Sequence, residues 1–283
     1  MQLTQIRNAT LLVDYAGKTL LVDPLLADRG AYPGFAGTAN SHLANPLVDL
    51  PVPLATLLDV DAVLVTHLHL DHWDETARRV LPRGLPVFAQ NEADAAAIRA
   101  DGFTDVRPLA ADEDTPFDGI RIARTGGQHG SDAVMAVIGA RMGEVSGIVL
   151  RHPDEPTLYI AGDTVWNGHV AAALATHEPD VVVLNCGDAQ VPGLGPIIMD
   201  IDDLGRVARA APRAAIVASH LEAVNHCMLS RADLRAWLDA QGLRARVSVP
   251  EDGEACAFHR ADTRSPRYAS QAASACRSTG LVR

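Results

Sequence analysis

No apolar run in this sequence approaches the roughly 18–20 residues that span a bilayer, so we read no membrane-spanning helix and no membrane partner. Positive charge is also scarce. Lys and Arg number 24 against 35 Asp and Glu, for a net charge of -11. So acidic a surface has no general affinity for phosphate backbones, which argues against a nucleic-acid partner. A small anionic substrate stays open, because a local metal ion or arginine cluster can outweigh the global field. The four cysteines, Cys186, Cys227, Cys256 and Cys276, form no CxxC pair. We read them as reduced thiols rather than a disulfide framework. The opening stretch MQLTQIRNATLLVDYAG lacks a basic leader and a small-residue cleavage site. A cytoplasmic protein is the expectation. No Pro/Ser linker divides the body, so one domain is expected over residues 1–260. Residues 261–283 lose apolar periodicity and gain Ser and Arg, and are expected to be a tail.

What is present is a chain of 283 residues, 48% hydrophobic, ample for one large core. Thr10–Tyr15 and Thr19–Val22 read as a hairpin around Ala16-Gly17-Lys18. From Asp23 to about Pro53 there is no period. A loop that long in a compact domain is either a lid or pocket wall, or an insertion packed on the surface. DAVLVTH is a continuous apolar strand suited to a covered sheet. DETARRVL opens a helix with Asp74 as its N-cap. PVFAQ reads as a strand, and EADAAAIRADG as a helix closed by Gly102. GIRIARTGG, AVMAVIGAR and SGIVLRH read as three strands. Thereafter the strands TLYIAGDT, DVVVLNCG and AAIVASH alternate with the helices HVAAALATHEP, DDLGRVARAAP and SRADLRAWLDAQG. The last helix is opened by Ser230 and Asp233 and closed by Gly242. RARVSVPEDG gives a final strand.

The polar residues fall at strand ends. VTHLHLDHWDE, residues 65–75, packs three histidines and two acidic residues between His67 and Asp74. Later strands run into His129, Asp163 and His220. Strand ends at one sheet edge are where loops gather and sites are built. Imidazole nitrogens and carboxylate oxygens together suit zinc, and also iron or manganese. His67 and His69 are two apart, so in an extended segment they point the same way and can grip one ion. Asp71 and His72 follow in the turn, aimed at a neighbouring point where a second ion can sit. Asp163 can bridge the two. Such a pair of ions lowers the pKa of a shared water.

HLHLDH, followed by GGQHG, AGDT and a later SH, resembles the metallo-β-lactamase superfamily over roughly residues 1–259. Val22-Asp23-Pro24 is similar to that family's N-terminal strands. The resemblance implies an α/β fold, the four-layer αβ/βα sandwich. It implies His67, His69 and His129 on a first metal, with Asp71, His72 and His220 on a second and Asp163 between. Every position of the two-metal pattern is present. Within the superfamily the chain looks closest to the branch that includes the ascorbate-6-phosphate lactonases, on the segment GPIIMDIDDL. Asp200 stands where that branch often has Gly.

The expected function is a two-metal hydrolase, its ions zinc by first choice with manganese or iron as alternatives. A metal-bound hydroxide attacks an ester-like bond, foremost in a lactone or other small-molecule ester or amide. The leaving group takes its proton from Asp71, a metal-bound water or His226. The alternatives are a phosphodiesterase, or a non-haem iron sulfur dioxygenase on the same fold. The expected partner is a small-molecule substrate, and a homo-oligomer is left open. Around this set, Glu222 reads as an orienter of a ligand. Trp73 and Trp166 read as pocket wall or as packing. Asn185 and Asp188, at the end of another strand, read either as residues facing the site or as plain strand-end residues. His152, His169, His177 and His259 carry no assigned role.

Overall fold

Alternation within the strands decides the layering. In Lys18–Val22, Leu20 and Val22 pack into one core while Leu21 packs into another. In Val181–Asn185, Val181 and Val183 turn one way, Val182 and Leu184 the other. Side chains of period two on both faces require a cover on each side of each sheet. The computed structural model describes residues 1–260 apart from Asp112, together with the backbone of Cys276 and Arg277.

In chain order the elements are β1 (Gln2–Arg7), β2 (Thr10–Tyr15), β3 (Lys18–Val22), α1 (Leu54–Leu58), β4 (Ala62–Val65), α2 (Glu75–Val80), β5 (Val87–Ala89), α3 (Glu92–Ala100), β6 (Val106–Pro108), β7 (Thr115–Phe117), β8 (Ile120–Gly126), α4 (Asp132–Met142), β9 (Ser146–Arg151), β10 (Leu158–Ile160), α5 (Gly168–His177), β11 (Val181–Asn185), β12 (Gln190–Val191), β13 (Gly195–Pro196), α6 (Ile201–Ala210), β14 (Ala215–Ser219), α7 (Arg231–Gln241), β15 (Val247–Ser248), β16 (Ala255–Ala257) and β17 (Cys276–Arg277). One sheet runs β17-β16-β1-β2-β3-β4-β5-β6, and the other β15-β14-β11-β10-β9-β8-β7. Each pairs antiparallel through its hairpins and parallel through its crossovers, β3 to β6 in the first and β10, β11, β14 and β15 in the second. Leu3, Leu11, Leu20 and Leu64 of the first sheet meet Ile122, Ile148, Val183 and Val217 of the second in the central core. Ala77, Ala95 and Ile98 of α2 and α3 cover the outer face of the first sheet. Val170, Leu204 and Leu234 of α5, α6 and α7 cover that of the second. The result is a four-layer αβ/βα sandwich.

AVMAVIGAR is not a strand but α4. Ser131 caps it by accepting from Val134 N, and Gly143 ends it at φ 68. Its nearly uniform apolar run, rich in Val and Ile, mimics a strand. Local capping and packing against Ala189, Ile197 and Ile198 decide otherwise. β1 carries no clear sequence signal, because two of its buried residues, Gln5 and Arg7, are polar. Asp74 caps α2 through Ala77 N at 2.6 Å, and Gly102 (φ 97) and Gly242 (φ 67) close α3 and α7 as read. Cys186 and Cys227 are free thiols, whereas Cys256 is disulfide-bonded, so the reading of four reduced cysteines fails at Cys256. The expected tail, 261–283, lies outside the described residues except where β17 pairs with β16. No helix among the described residues is long and apolar enough to cross a membrane.

Candidate metal centre

β4, β8, β10 and β14 deliver their ends to one edge of the sandwich. After β4 the chain turns tightly, with His72 N and Trp73 N both donating to His69 O at 2.9 Å. That turn presents His67, His69, Asp71 and His72 together. His129 follows β8 and Asp163 follows β10. Gly162, at φ 69, permits that last approach, since a Cβ there would lie 2.4 Å from Ser146 O. His220 follows β14 in the left-handed region at φ 60, its N–H held by Asn8 O at 3.0 Å.

The side chains converge. Ligand atoms of His67, His69 and His129 lie within 4.8 Å of one another, as do those of His67, His72 and Asp163, and those of Asp71, His72 and His220. Asp163 Oδ2 stands 3.1 Å from His72 Nε2, 3.6 Å from His129 Nε2 and 3.7 Å from His220 Nε2. It therefore touches both imidazole groups. The Nε2 atoms of His67, His72 and His220 are buried without a well-directed hydrogen-bond partner. Three orphaned nitrogens among carboxylates are the signature of a cation site, so the donor set fits a metal. His69 is half-buried and marks the side open to solvent.

Each histidine has its other nitrogen fixed. His72 Nδ1 donates to Asp23 Oδ2 at 2.9 Å, and Thr66 Oγ1 donates to the same oxygen at 2.7 Å. His67 Nδ1 meets Thr66 Oγ1 at 3.2 Å, so one carboxylate steadies two ligands. His129 Nδ1 donates to Ile197 O at 2.8 Å, His69 Nε2 to Arg141 O at 3.3 Å, and His220 Nδ1 to Cys227 Sγ at 3.3 Å. Such partners set the tautomer and raise ligand basicity. Burial, with His72 and His69 close by, holds His67 well below its ordinary pKa, and burial pushes His129 down to about 4. His72 goes the other way. Burial opposes its charge, but Asp163, Asp23 and Asp71 overrule it and raise the ring to about 10. His220 is raised as well, Asp163 outweighing burial.

Comparison with known proteins agrees with this geometry. The beta-lactamase superfamily domain profile matches residues 18–221. The chain belongs to the metallo-β-lactamase superfamily. It is 47% identical over 259 residues to the UPF0173 protein YddR of Bacillus subtilis, covering 91% of this chain and 100% of that one. A UPF0173 metal-dependent hydrolase of Azorhizobium caulinodans is 24% identical over 90% of this chain and 98% of its own length. Among solved structures, an isothiocyanate hydrolase from Delia radicum gut bacteria superposes with a TM-score of 0.89 at 48% identity, covering 92% of this chain and 100% of that one. A possible metal-dependent hydrolase from Veillonella parvula superposes at 0.89 with 43% identity, covering 91% and 99%. This member of the metallo-β-lactamase superfamily is a metal-dependent hydrolase.

The superfamily member's further candidates divide. Asn185 is at the site, donating from Nδ2 to Asp163 Oδ1 at 2.8 Å. Asp188 is not; it accepts from Gln190 Nε2 and braces its own loop. Glu222 orients no ligand. It accepts from Arg231 N at 3.0 Å and Arg231 Nη1 at 2.7 Å, pinning α7 instead. Trp73 is buried against Phe103, and Trp166 packs on the outer core of the second sheet, so both are packing. His177 accepts from Arg151, and His169 is exposed at the start of α5. His226 is buried with its Nδ1 unpartnered, its ring edge-on to Phe35 at 5.1 Å. Asp23, Asn8 and Cys227 were missed as supports. An Asp closing a strand before Pro24 was the available signal for Asp23. Asn8 and Cys227 act across contacts of long sequence separation and left none.

Proposed function

We propose that the chain hydrolyses a small, carbon-centred electrophile of the isothiocyanate type, with two divalent ions, zinc by first choice. The observation that carries this is the set of seven buried or half-buried donors in two groups joined by Asp163. The isothiocyanate hydrolase that covers nearly the whole chain at 48% identity supports the substrate class. The reaction balances as R–N=C=S + H2O giving R–NH2 + COS. A C–O bond forms at the central carbon, both protons of the water pass to nitrogen, and the C–N bond breaks. His67, His69 and His129 would hold one ion, and Asp71, His72 and His220 the other, with Asp163 shared. When bound, the ions supply an acidified water and positive charge against the developing anion. Against the effect of burial, His72 and His220 hold Asp71 well below the carboxylate range, so it stays ionised and would serve as a ligand. Burial lowers the His226 pKa to about 4, so the ring is neutral at working pH and offers the leaving nitrogen a hydrogen bond, while the protons themselves come from the water.

A lactone or other small ester presents the same kind of carbon and is the second substrate to test. The deciding experiment offers zinc- and manganese-loaded protein allyl isothiocyanate, a γ-lactone and bis(p-nitrophenyl) phosphate, with Asp163→Ala as the blank. Isothiocyanate loss with amine release, absent in Asp163→Ala, supports the reading. Phosphodiester cleavage alone would overturn it. So would a single tightly held iron with oxygen uptake in place of hydrolysis.

A further inference from the structure

The segment 24–53 is neither a free lid nor a surface insertion. It is a clamped arch. Asn225, buried one residue before His226, uses its whole amide on it. Oδ1 accepts from Phe35 N at 3.0 Å and Asn45 Nδ2 at 2.8 Å; Nδ2 donates to Thr38 Oγ1 at 2.9 Å and Ala39 O at 2.6 Å. The backbone of Asn225 donates to Asn45 Oδ1 at 2.8 Å, closing a reciprocal pair. Gly34 lets the arch double back, since a Cβ there would fall 2.4 Å from Leu43 O. On its far side Gly37 lies against the Arg141 guanidinium, and Arg141 O is the partner of His69. The arch thus joins His226 to the helix that steadies His69. At its near end the Phe35 ring meets His226 edge-on, at an interplanar angle of 82°.

Two further observations bear on what passes beneath it. Residues 30–77, 152–205 and 214–230, which supply the arch beyond Arg29 and every ligand but His129, contain no Lys or Arg; the cations against the arch are Arg7, taken up by the Leu25, Ala27 and Val48 carbonyls, and Arg141 beside Gly37. An anionic group on the substrate would find no cation in these segments. Leu43 and Met228 are exposed large apolar side chains, and both are tied to Asn40 of the arch. Leu43 N donates to Asn40 O at 2.9 Å, and Asn40 Nδ2 contacts Met228 Sδ at 3.5 Å.

We propose that Phe35, held by the Asn225 clamp, is the specificity-determining wall of this site, against which the apolar organic group of an uncharged substrate packs. The inference rests on the hydrolase reading for the bond broken, but not for the wall. The test separates the two. Metal-loaded wild type, Phe35→Ala and Asn225→Ala are titrated calorimetrically with ethanethiol, 2-phenylethanethiol and 3-mercaptopropionate, which reach the ions through sulfur. In Phe35→Ala the phenyl thiol weakens about ten-fold relative to ethanethiol, the scale of losing part of an apolar pocket. Asn225→Ala reproduces that loss with metal content unchanged. In wild type, 3-mercaptopropionate binds more weakly than ethanethiol. The same preference appears in KM, with kcat little altered, for allyl against 2-phenylethyl isothiocyanate. A phenyl-to-ethyl ratio that stays put or moves the other way in folded Phe35→Ala overturns the wall. No isothiocyanate turnover, with the thiol ratio shifted, overturns the proposed substrate and leaves the wall standing.

Discussion

The two ligand groups of the centre are built on opposite electrostatic plans. His67, His69 and His129 form an all-imidazole group, their second nitrogens meeting a hydroxyl and two backbone carbonyls. His67 and His129 are neutral there, because burial penalises their charge. Asp71, His72 and His220 form a charge-compensated group, in which Asp163 and Asp71, joined by Asp23 at His72 and by Cys227 at His220, keep two rings protonated in the metal-free protein. An arriving ion meets bare lone pairs in the first group and must displace protons in the second. Shared residues join the groups: Asp163 between the ligands, and Asp23 behind them. On the proposed two-ion reading, the site takes cations of unequal proton dependence, its protonated rings balanced by carboxylates when they are absent.

Removing Asp163 tests what joins the groups. Asp163→Ala lowers turnover roughly a thousand-fold or more, the scale of losing a charge-stabilising group, and metal analysis shows both groups affected. Loss confined to one group would break the account of a shared carboxylate. Cys227→Ala is expected to act on one side. It frees the His220 ring and weakens metal binding about 10–100-fold at the second group, while the first still loads in a competition titration. Asp23→Ala weakens both, because His72 loses its acceptor and Thr66 the one that orients His67.

Proton release sharpens the comparison further. His72 is raised from 6.5 to about 10, so between those values it is protonated in the metal-free protein and must lose that proton on metal binding. The linked stability has the matching sign. In the metal-free protein the His72 contribution is fully present below pH 6.5 and is lost as pH rises through about 10. Calorimetry in buffers of different ionisation enthalpy should show proton release for the second ion and little for the first. Equal release would sink the distinction. The smallest effect on the centre comes from Asp74→Ala. Asp74 caps α2 and also accepts from Leu26 N and Ala27 N at 3.0 and 2.7 Å. Its loss lowers stability by about 2–3 kcal/mol, read as a fall in Tm, with metal content unchanged.

Much of this was legible in the sequence because it is local. The HLHLDH turn brings four donors together within six residues, so spacing alone announces a metal. The caps Asp74, Ser230 and Gly242 follow from single-residue chemistry. AVMAVIGAR was misread because an evenly apolar run has no period of its own; Ser131 and packing against Ile197 and Ile198 choose the helix. Glu222 sits beside His220 in sequence yet faces Arg231, since at φ 59 the backbone turns it away.

By itself, then, the sequence determined that donors stand at the ends of buried strands, and that the chain has the alternation to place those ends on one edge. Tertiary structure alone decided that Asp23 serves two histidines and that a thiol seats His220. It also decided that Asn225 holds Phe35 over His226. These are contacts between residues far apart in the chain. Their partners are set by register and loop closure, and neither leaves a mark on local composition.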